Sequence, residues 1–302
     1  MKKLKYLVMA AIAAVVFACG TTRTVPITGR KQNILVSDEQ VLSLSNQEYT
    51  NYMKSAKLST NSANTAMVKR VGQRLATAVE TYLNEHGMAA DAKEYSWEFN
   101  LVQDKSVNAF CMPGGKIVVY EGLLPVTQDE ASLAIVLGHE IAHAVAKHSA
   151  EQMSKQIKNQ YGTQILGQVL NAAGVSSSTT QLAQIIAQKG LQFRSLKYSR
   201  DNESEADHMG LIFAAMAGYD PNVAVTFWQR MAQATGSNNQ SDIFSDHPSD
   251  AKRIAAIKQE LPEALTYYKP VKTTTTTKKT TTSTKKKTRT TSKKNTTKTR
   301  RK

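Results

Sequence analysis

Gly138-His139-Glu140-Ile141-Ala142-His143 sets two imidazoles four residues apart with a glutamate between them, the HExxH spacing of a zinc hydrolase. On a helix, residues so spaced lie on one face about 6 Å apart along the axis, so His139 and His143 can each offer a ring nitrogen to one metal ion. Glu140 then falls beside that ion. There a carboxylate can take a proton from a bound water, whose pKa zinc lowers from about 15.7 to about 7, and pass it to a leaving amine. Ala131-Ser132-Leu133-Ala134-Ile135-Val136-Leu137 enters the motif with almost no polar face, and Ala144-Val145-Ala146 continues it, which predicts a buried helix. Histidines and a glutamate in such a place need partners, because burying an unpaired polar group is costly. Core histidines bonded to backbone are the competing reading.

A catalytic zinc takes three protein ligands and keeps a position for water, so a third donor must come from elsewhere. Ser199-Arg200-Asp201-Asn202-Glu203-Ser204-Glu205-Ala206-Asp207-His208 reads as the start of a helix running through Gly210 to Met216. Glu203 and Asp207 share a face there, while Glu205 points away. Glu203 can ligate, and Asp207 can accept the N–H of a ligand histidine. An acidic run interacting with the helix dipole is the plainer alternative.

With HEIAH and, about sixty residues on, SRDNESEAD, the chain resembles the zinc metallopeptidase family of the type I CAAX prenyl endopeptidase and the bacterial heat-shock protease HtpX, metallopeptidase family forty-eight, in its periplasmic lipoprotein branch. Val25-Pro26-Ile27-Thr28-Gly29-Arg30, Asn108-Ala109-Phe110-Cys111-Met112-Pro113-Gly114-Gly115, and Asp246-His247-Pro248 followed by Arg253-Ile254 agree with it. The resemblance implies one zinc ion per chain held by His139, His143 and Glu203, with Glu140 as general base and Asp207 in support. It also implies a zincin-like fold. Cys111, where a small residue is expected, reads as a buried free thiol without a role. His247, held extended before a proline, is read as a catalytic residue near the metal, either a donor to the oxyanion or a fourth ligand that acts as a latch. His148, five residues after His143, reads as facing elsewhere; His86 and His208 look equally ordinary.

Tyr95, Trp97, Phe99 and Leu101 alternate with polar residues, and Lys116-Ile117-Val118-Val119-Tyr120 follows a Pro-Gly-Gly turn, so two strands are predicted. An edge strand of such a sheet can pair with an extended or unfolded polypeptide substrate, and Asn108, Ala109 and Phe110 are assigned to that strand. Residues 40–86 predict helices, with Met67, Val71, Leu75 and Val79 spaced by four. Residues 150–198 read as mostly helical, broken at Gly174-Val175-Ser176-Ser177-Ser178. The fold class is therefore α+β, mainly helical with a small β-sheet beside the active helix.

Lys2, Lys3 and Lys5 precede the apolar stretch Tyr6 to Ala18 and then Cys19, a secretory signal too short to span a bilayer. Val16 and Ala18 fit a lipobox that makes Cys19 a lipidated first residue, and so a membrane anchor. Gly20 after the cysteine favours the outer membrane by analogy with bacterial sorting. Residues 271–302 hold 13 Lys and Arg and no acid, out of a net charge of +15. The rest of the mature chain is near neutral, so the basic character belongs to a Thr/Lys-rich tail that cannot bury enough surface to fold. Its candidate partner is an anionic polymer, with a solvated tether as the plainer reading. The organisation expected is a signal peptide over 1–18, lipid anchor and linker over 19–45, metallopeptidase domain over 46–268 and disordered tail over 269–302.

The expected function is a zinc-dependent endopeptidase of the bacterial envelope, periplasmic and lipid-anchored at the outer membrane, that degrades misfolded or misassembled envelope proteins. The alternative is a chaperone-like holding protein that serves the outer-membrane assembly machinery through the same cleft.

Overall fold

The buried helix predicted around the motif is the axis of the computed structural model, which describes residues 21–171, 193, 196–236 and 251–270. It runs from Glu130 to Val145, and every side chain from Ser132 to Val145 is buried. Asp129 caps it, accepting from Ser132 N at 2.7 Å, so a free N–H of the first turn is satisfied where the chain enters the core. In chain order the longer elements are β1 (Thr21–Thr24), β2 (Lys31–Ile34), α1 (Asp38–Ser55), α2 (Ser62–Glu85), β3 (Glu98–Val102), β4 (Ala109–Met112), β5 (Lys116–Tyr120), α3 (Glu130–Val145), α4 (His148–Asn171), α5 (Arg200–Met216), α6 (Val223–Gly236) and α7 (Ala251–Tyr267). This is the mainly helical α+β architecture, zincin-like, that the sequence suggested.

The larger sheet has the order β3-β5-β4, with β3 parallel and β4 antiparallel to β5. β5 spans the predicted residues and is buried throughout, as a central strand must be. The alternation from Tyr95 holds too, although the strand begins only at Glu98. Pro113-Gly114-Gly115 turns β4 into β5 with both glycines at positive φ, and a Cβ on Gly115 would come within 2.5 Å of the Trp97 ring. β4 lies against α3 and β3 against α2. Val68, Val71, Leu75, Val79 and Leu83 bury one stripe of α2.

α5 packs directly against α3. A Cβ on Gly138 would sit 2.7 Å from Gly210 O, and one on Gly210 would sit 2.7 Å from His139 N. The two backbones therefore touch where the first histidine of the motif lies. Ser199 and Asn202 form a reciprocal capping box at the start of α5, which fixes where Glu203 begins its turn.

Residues 21–36 differ from the linker expected over 19–45. They form a β-hairpin, β1 antiparallel to β2, whose Val25 and Ile34 are buried in the core. Ile27 and Gly29 take positive φ in the connecting turn. Two short strands with isolated apolar residues carry too little periodicity to be read from sequence. Arg30 leaves this turn for Glu151 on α4, donating from Nη1 at 3.1 Å and Nη2 at 2.9 Å. Burial works to raise the Glu151 pKa, but Arg30 and Lys155 beside it hold it at about 2, against an ordinary 4.5. A carboxylate depressed in the folded state contributes stability that is complete above about pH 4.5 and lost as the pH falls towards 2. The melting temperature, followed by circular dichroism, should thus fall more steeply across that window for the wild type than for Glu151→Gln. Equal slopes would remove Glu151 from the acid response.

The break at Gly174, the segment with His247, the leader with Cys19 and the basic tail lie outside the described residues. Among the described residues no helix is long and apolar enough to cross a membrane.

Candidate metal centre

Two helices supply the donors. His139 and His143 stand one turn apart on α3, and Glu203 faces them from the first turn of α5; all three are buried. His139 Nε2 lies 3.1 Å from His143 Nε2 and 3.5 Å from Glu203 Oε2, and His143 Nε2 lies 3.4 Å from Glu203 Oε1. A tetrahedral zinc with bonds of about 2.0–2.1 Å sets neighbouring donors about 3.3 Å apart, so the triangle has the size the ion requires. Among the described residues this is the one group of three or more His, Cys, Asp or Glu side chains able to hold a metal ion. Burial alone would lower the His139 pKa, yet its hydrogen bonds with Asp207 and Glu203 carry it up to about 9, whereas burial keeps His143 well below the ordinary value.

Asp207 stands where the i, i+4 argument put it. Its Oδ1 is 2.9 Å from His139 Nδ1, which fixes the ring with Nε2 turned towards Glu203. Asp207 is in turn gripped by Arg253 of α7, with Nε donating to Oδ2 and Nη2 to Oδ1, both at 2.7 Å. The guanidinium lies over the Trp228 ring, 3.6 Å from its centre. A bidentate arginine holds the carboxylate ionised and immobile. In the sequence Arg253 stands out only as part of a resembling segment; nothing local assigns it this task.

His148 corrects the sequence reading. Its Nδ1 lies 2.8 Å from His143 Nδ1, and its Nε2 lies 2.9 Å from Glu205 Oε2. Counting five residues along a helix turns a side chain away, but α3 ends at Val145 and Lys147 takes φ +53°. The chain reverses there and returns His148 to the far edge of the His143 ring. Glu205 does point away from the metal donors, as expected, but into this second set of contacts. Tyr198 stacks on the His143 ring, ring centres 4.1 Å apart, and its hydroxyl is 2.9 Å from Ser149 Oγ. A lone tyrosine in an irregular stretch carries no sequence signal.

Glu140 is buried next to the donors. Its charge adds to burial in raising the pKa of Cys111 on β4 and of Tyr198, and α3, which carries it, packs against β4. Cys111 is a buried free thiol. Ala109 and Phe110 belong to β4 at the edge of the sheet, and Asn108 O accepts from Tyr120 N at 3.0 Å just before it.

Comparison with known proteins agrees with this geometry. The profile of peptidase family M48 matches residues 62–261. The mitochondrial metalloendopeptidase OMA1 of Schizosaccharomyces pombe is 41% identical over 172 residues, 57% of this chain and 48% of that protein. The human mitochondrial metalloendopeptidase OMA1 is 31% identical over 244 residues, 80% of this chain and 46% of its own length. The beta-barrel assembly-enhancing protease of Escherichia coli K12 is 29% identical over 186 residues, 58% of this chain and 37% of that protein. The chain thus spans about half the length of these relatives or less. A profile that covers α2, both donor helices and the arginine of α7 leaves one assignment: the chain belongs to peptidase family M48, a family of zinc metallopeptidases.

Proposed function

We propose that the protein is a zinc metalloendopeptidase that cuts extended polypeptide at the centre formed by His139, His143 and Glu203. The observation that carries this reading is the donor triangle of zinc dimensions with a buried glutamate next to His139 on a helix that packs against the edge strand β4. When bound, zinc would serve there as a Lewis acid that makes water a nucleophile near neutral pH. The chain's own residues do the rest. β4 pairs with the substrate main chain and sets the scissile carbonyl over the centre. Glu140 takes a proton from the attacking water as the O–C bond forms. It returns that proton to the departing nitrogen as the C–N bond breaks. Asp207 and Arg253 keep the His139 ring from turning while charge builds up beside it.

The place of action follows from the leader: Cys19 carries lipid and holds the enzyme in the periplasm at the outer membrane, where it removes misfolded or misassembled envelope proteins. One bacterial relative's name, a beta-barrel assembly-enhancing protease, supports that setting, although other relatives are named as mitochondrial. His247 of the Asp-His-Pro segment serves either as a donor to the oxyanion or as a fourth ligand that acts as a latch, and the tail over 271–302 adheres to anionic polymer. Loss of salt-sensitive lipopolysaccharide binding on deleting 271–302 is the expected result; undiminished binding removes adhesion.

A holding function is the second reading, since strand pairing at β4 needs no chemistry. Zinc content and casein cleavage decide. The wild type should hold about one zinc and cut, and Glu203→Ala should lose both, because two histidines alone bind zinc weakly. A wild type that binds zinc and leaves casein intact would move the holding reading to the front.

A further inference from the structure

Behind His143 lies a chain of contacts that the proposed chemistry does not use. Glu205 Oε1 accepts from Thr28 Oγ1 at 2.5 Å, and Oε2 accepts from Arg30 Nε at 2.8 Å, so the carboxylate is held by two side chains of the N-terminal hairpin. The same Oε2 is 2.9 Å from His148 Nε2. The side chain of His148 is fully buried, and that of Glu205 is 6% exposed. These contacts dictate where protons lie. An ionised carboxylate only accepts, so His148 Nε2 must carry the hydrogen. In a neutral imidazole Nδ1 is then a lone pair, which faces His143 Nδ1 at 2.8 Å. His143 Nδ1 must therefore carry a hydrogen and donate it, and His143 Nε2 is left as the lone pair that points into the donor triangle.

We infer that His148 is a positioning residue, set by Glu205, Thr28 and Arg30, which selects the tautomer of His143 that can bind the metal. His139 and His143 are thus served by different means: His139 meets a carboxylate directly through Asp207, and His143 meets one through a second imidazole. The arrangement ties one ligand to the hairpin, so the docking of residues near the N-terminus bears on the metal site. Reversing the His148 tautomer would put two N–H groups nose to nose, or turn the His143 hydrogen towards the metal.

The inference rests on the metal-binding reading, and its test separates the two. Zinc affinity is measured by chelator competition at fixed pH on the full chain, with the cobalt(II) absorption spectrum as second readout, for the wild type, His148→Leu and His148→Asn. Leucine fills space without accepting a hydrogen bond. Asparagine offers Oδ1 close to the place of Nδ1. His148→Leu should weaken zinc binding about 10–100-fold and alter the cobalt spectrum, as removal of such an outer contact does. His148→Asn should recover most of the affinity. Equal affinity for leucine and wild type, or equal losses for leucine and asparagine, overturns the inference while metal binding stands. A wild type that takes up no zinc overturns both. Nitrogen-15 spectra of the zinc-loaded wild type give an answer that needs no variant to fold: His148 should be the Nε2–H tautomer, and a hydrogen on its Nδ1 refutes the role.

Discussion

Glu140→Gln is expected to bind zinc as the wild type does and to cleave casein about 10²–10⁴-fold more slowly in kcat, the range that a positioned general base contributes. Glutamine has the size and hydrogen-bonding reach of glutamate but cannot accept the proton of the attacking water. The metal donors are His139, His143 and Glu203, so none is touched, and the buried α3 that carries them keeps its packing. A loss of this size is about 3–5 kcal/mol of transition-state stabilisation. Zinc content by atomic absorption and single-turnover cleavage separate the outcomes. Cleavage within threefold of wild type would place the base elsewhere. Loss of zinc would mean that the substitution damaged the site. A client-holding activity that survives the substitution would count for the holding reading.

Gly210→Ala should destabilise the protein by about 1–3 kcal/mol, although the same change on an exposed helix stabilises by up to about 1 kcal/mol. The sign reverses because the new Cβ would lie 2.7 Å from His139 N and 2.9 Å from both Gly138 C and His139 Cα. All three are backbone atoms, which cannot rotate aside as a side chain does, so α3 and α5 must move apart. Glu203 and Asp207 ride on α5 and must withdraw from His139 and His143. Weaker zinc binding should therefore accompany the lower melting temperature, a drop of roughly 3–10 °C for a domain of this size. A stabilised variant with unchanged zinc affinity would show that the helices tolerate the separation and that the close crossing does not set the site.

The sequence carried what depends on short spacing. His139, Glu140 and His143 could be read because one helical turn fixes their relation before anything else folds. Glu203 and Asp207 obey the same rule on α5, and the capping box beside them marks where that helix begins. The buried character of α3, the stripe of α2 and the strand at Lys116–Tyr120 followed from apolar patterning, which burial enforces locally. What sequence could not supply is the meeting of residues far apart in the chain. Arg253 reaches Asp207 from α7, and Arg30 and Thr28 reach Glu205 from the hairpin, by contacts that leave no periodic trace. His148 escapes a helical count because Lys147, between it and the motif, takes a positive φ that reverses the chain. Spacing within α3 selected His139 and His143, and spacing within α5 selected Glu203 with Asp207; the backbone contact of Gly138 with Gly210 decided that the two sets meet. That division is physical: hydrogen bonding within a turn is local, whereas the distance between two helices is settled only when their side chains, or the absence of them, pack together.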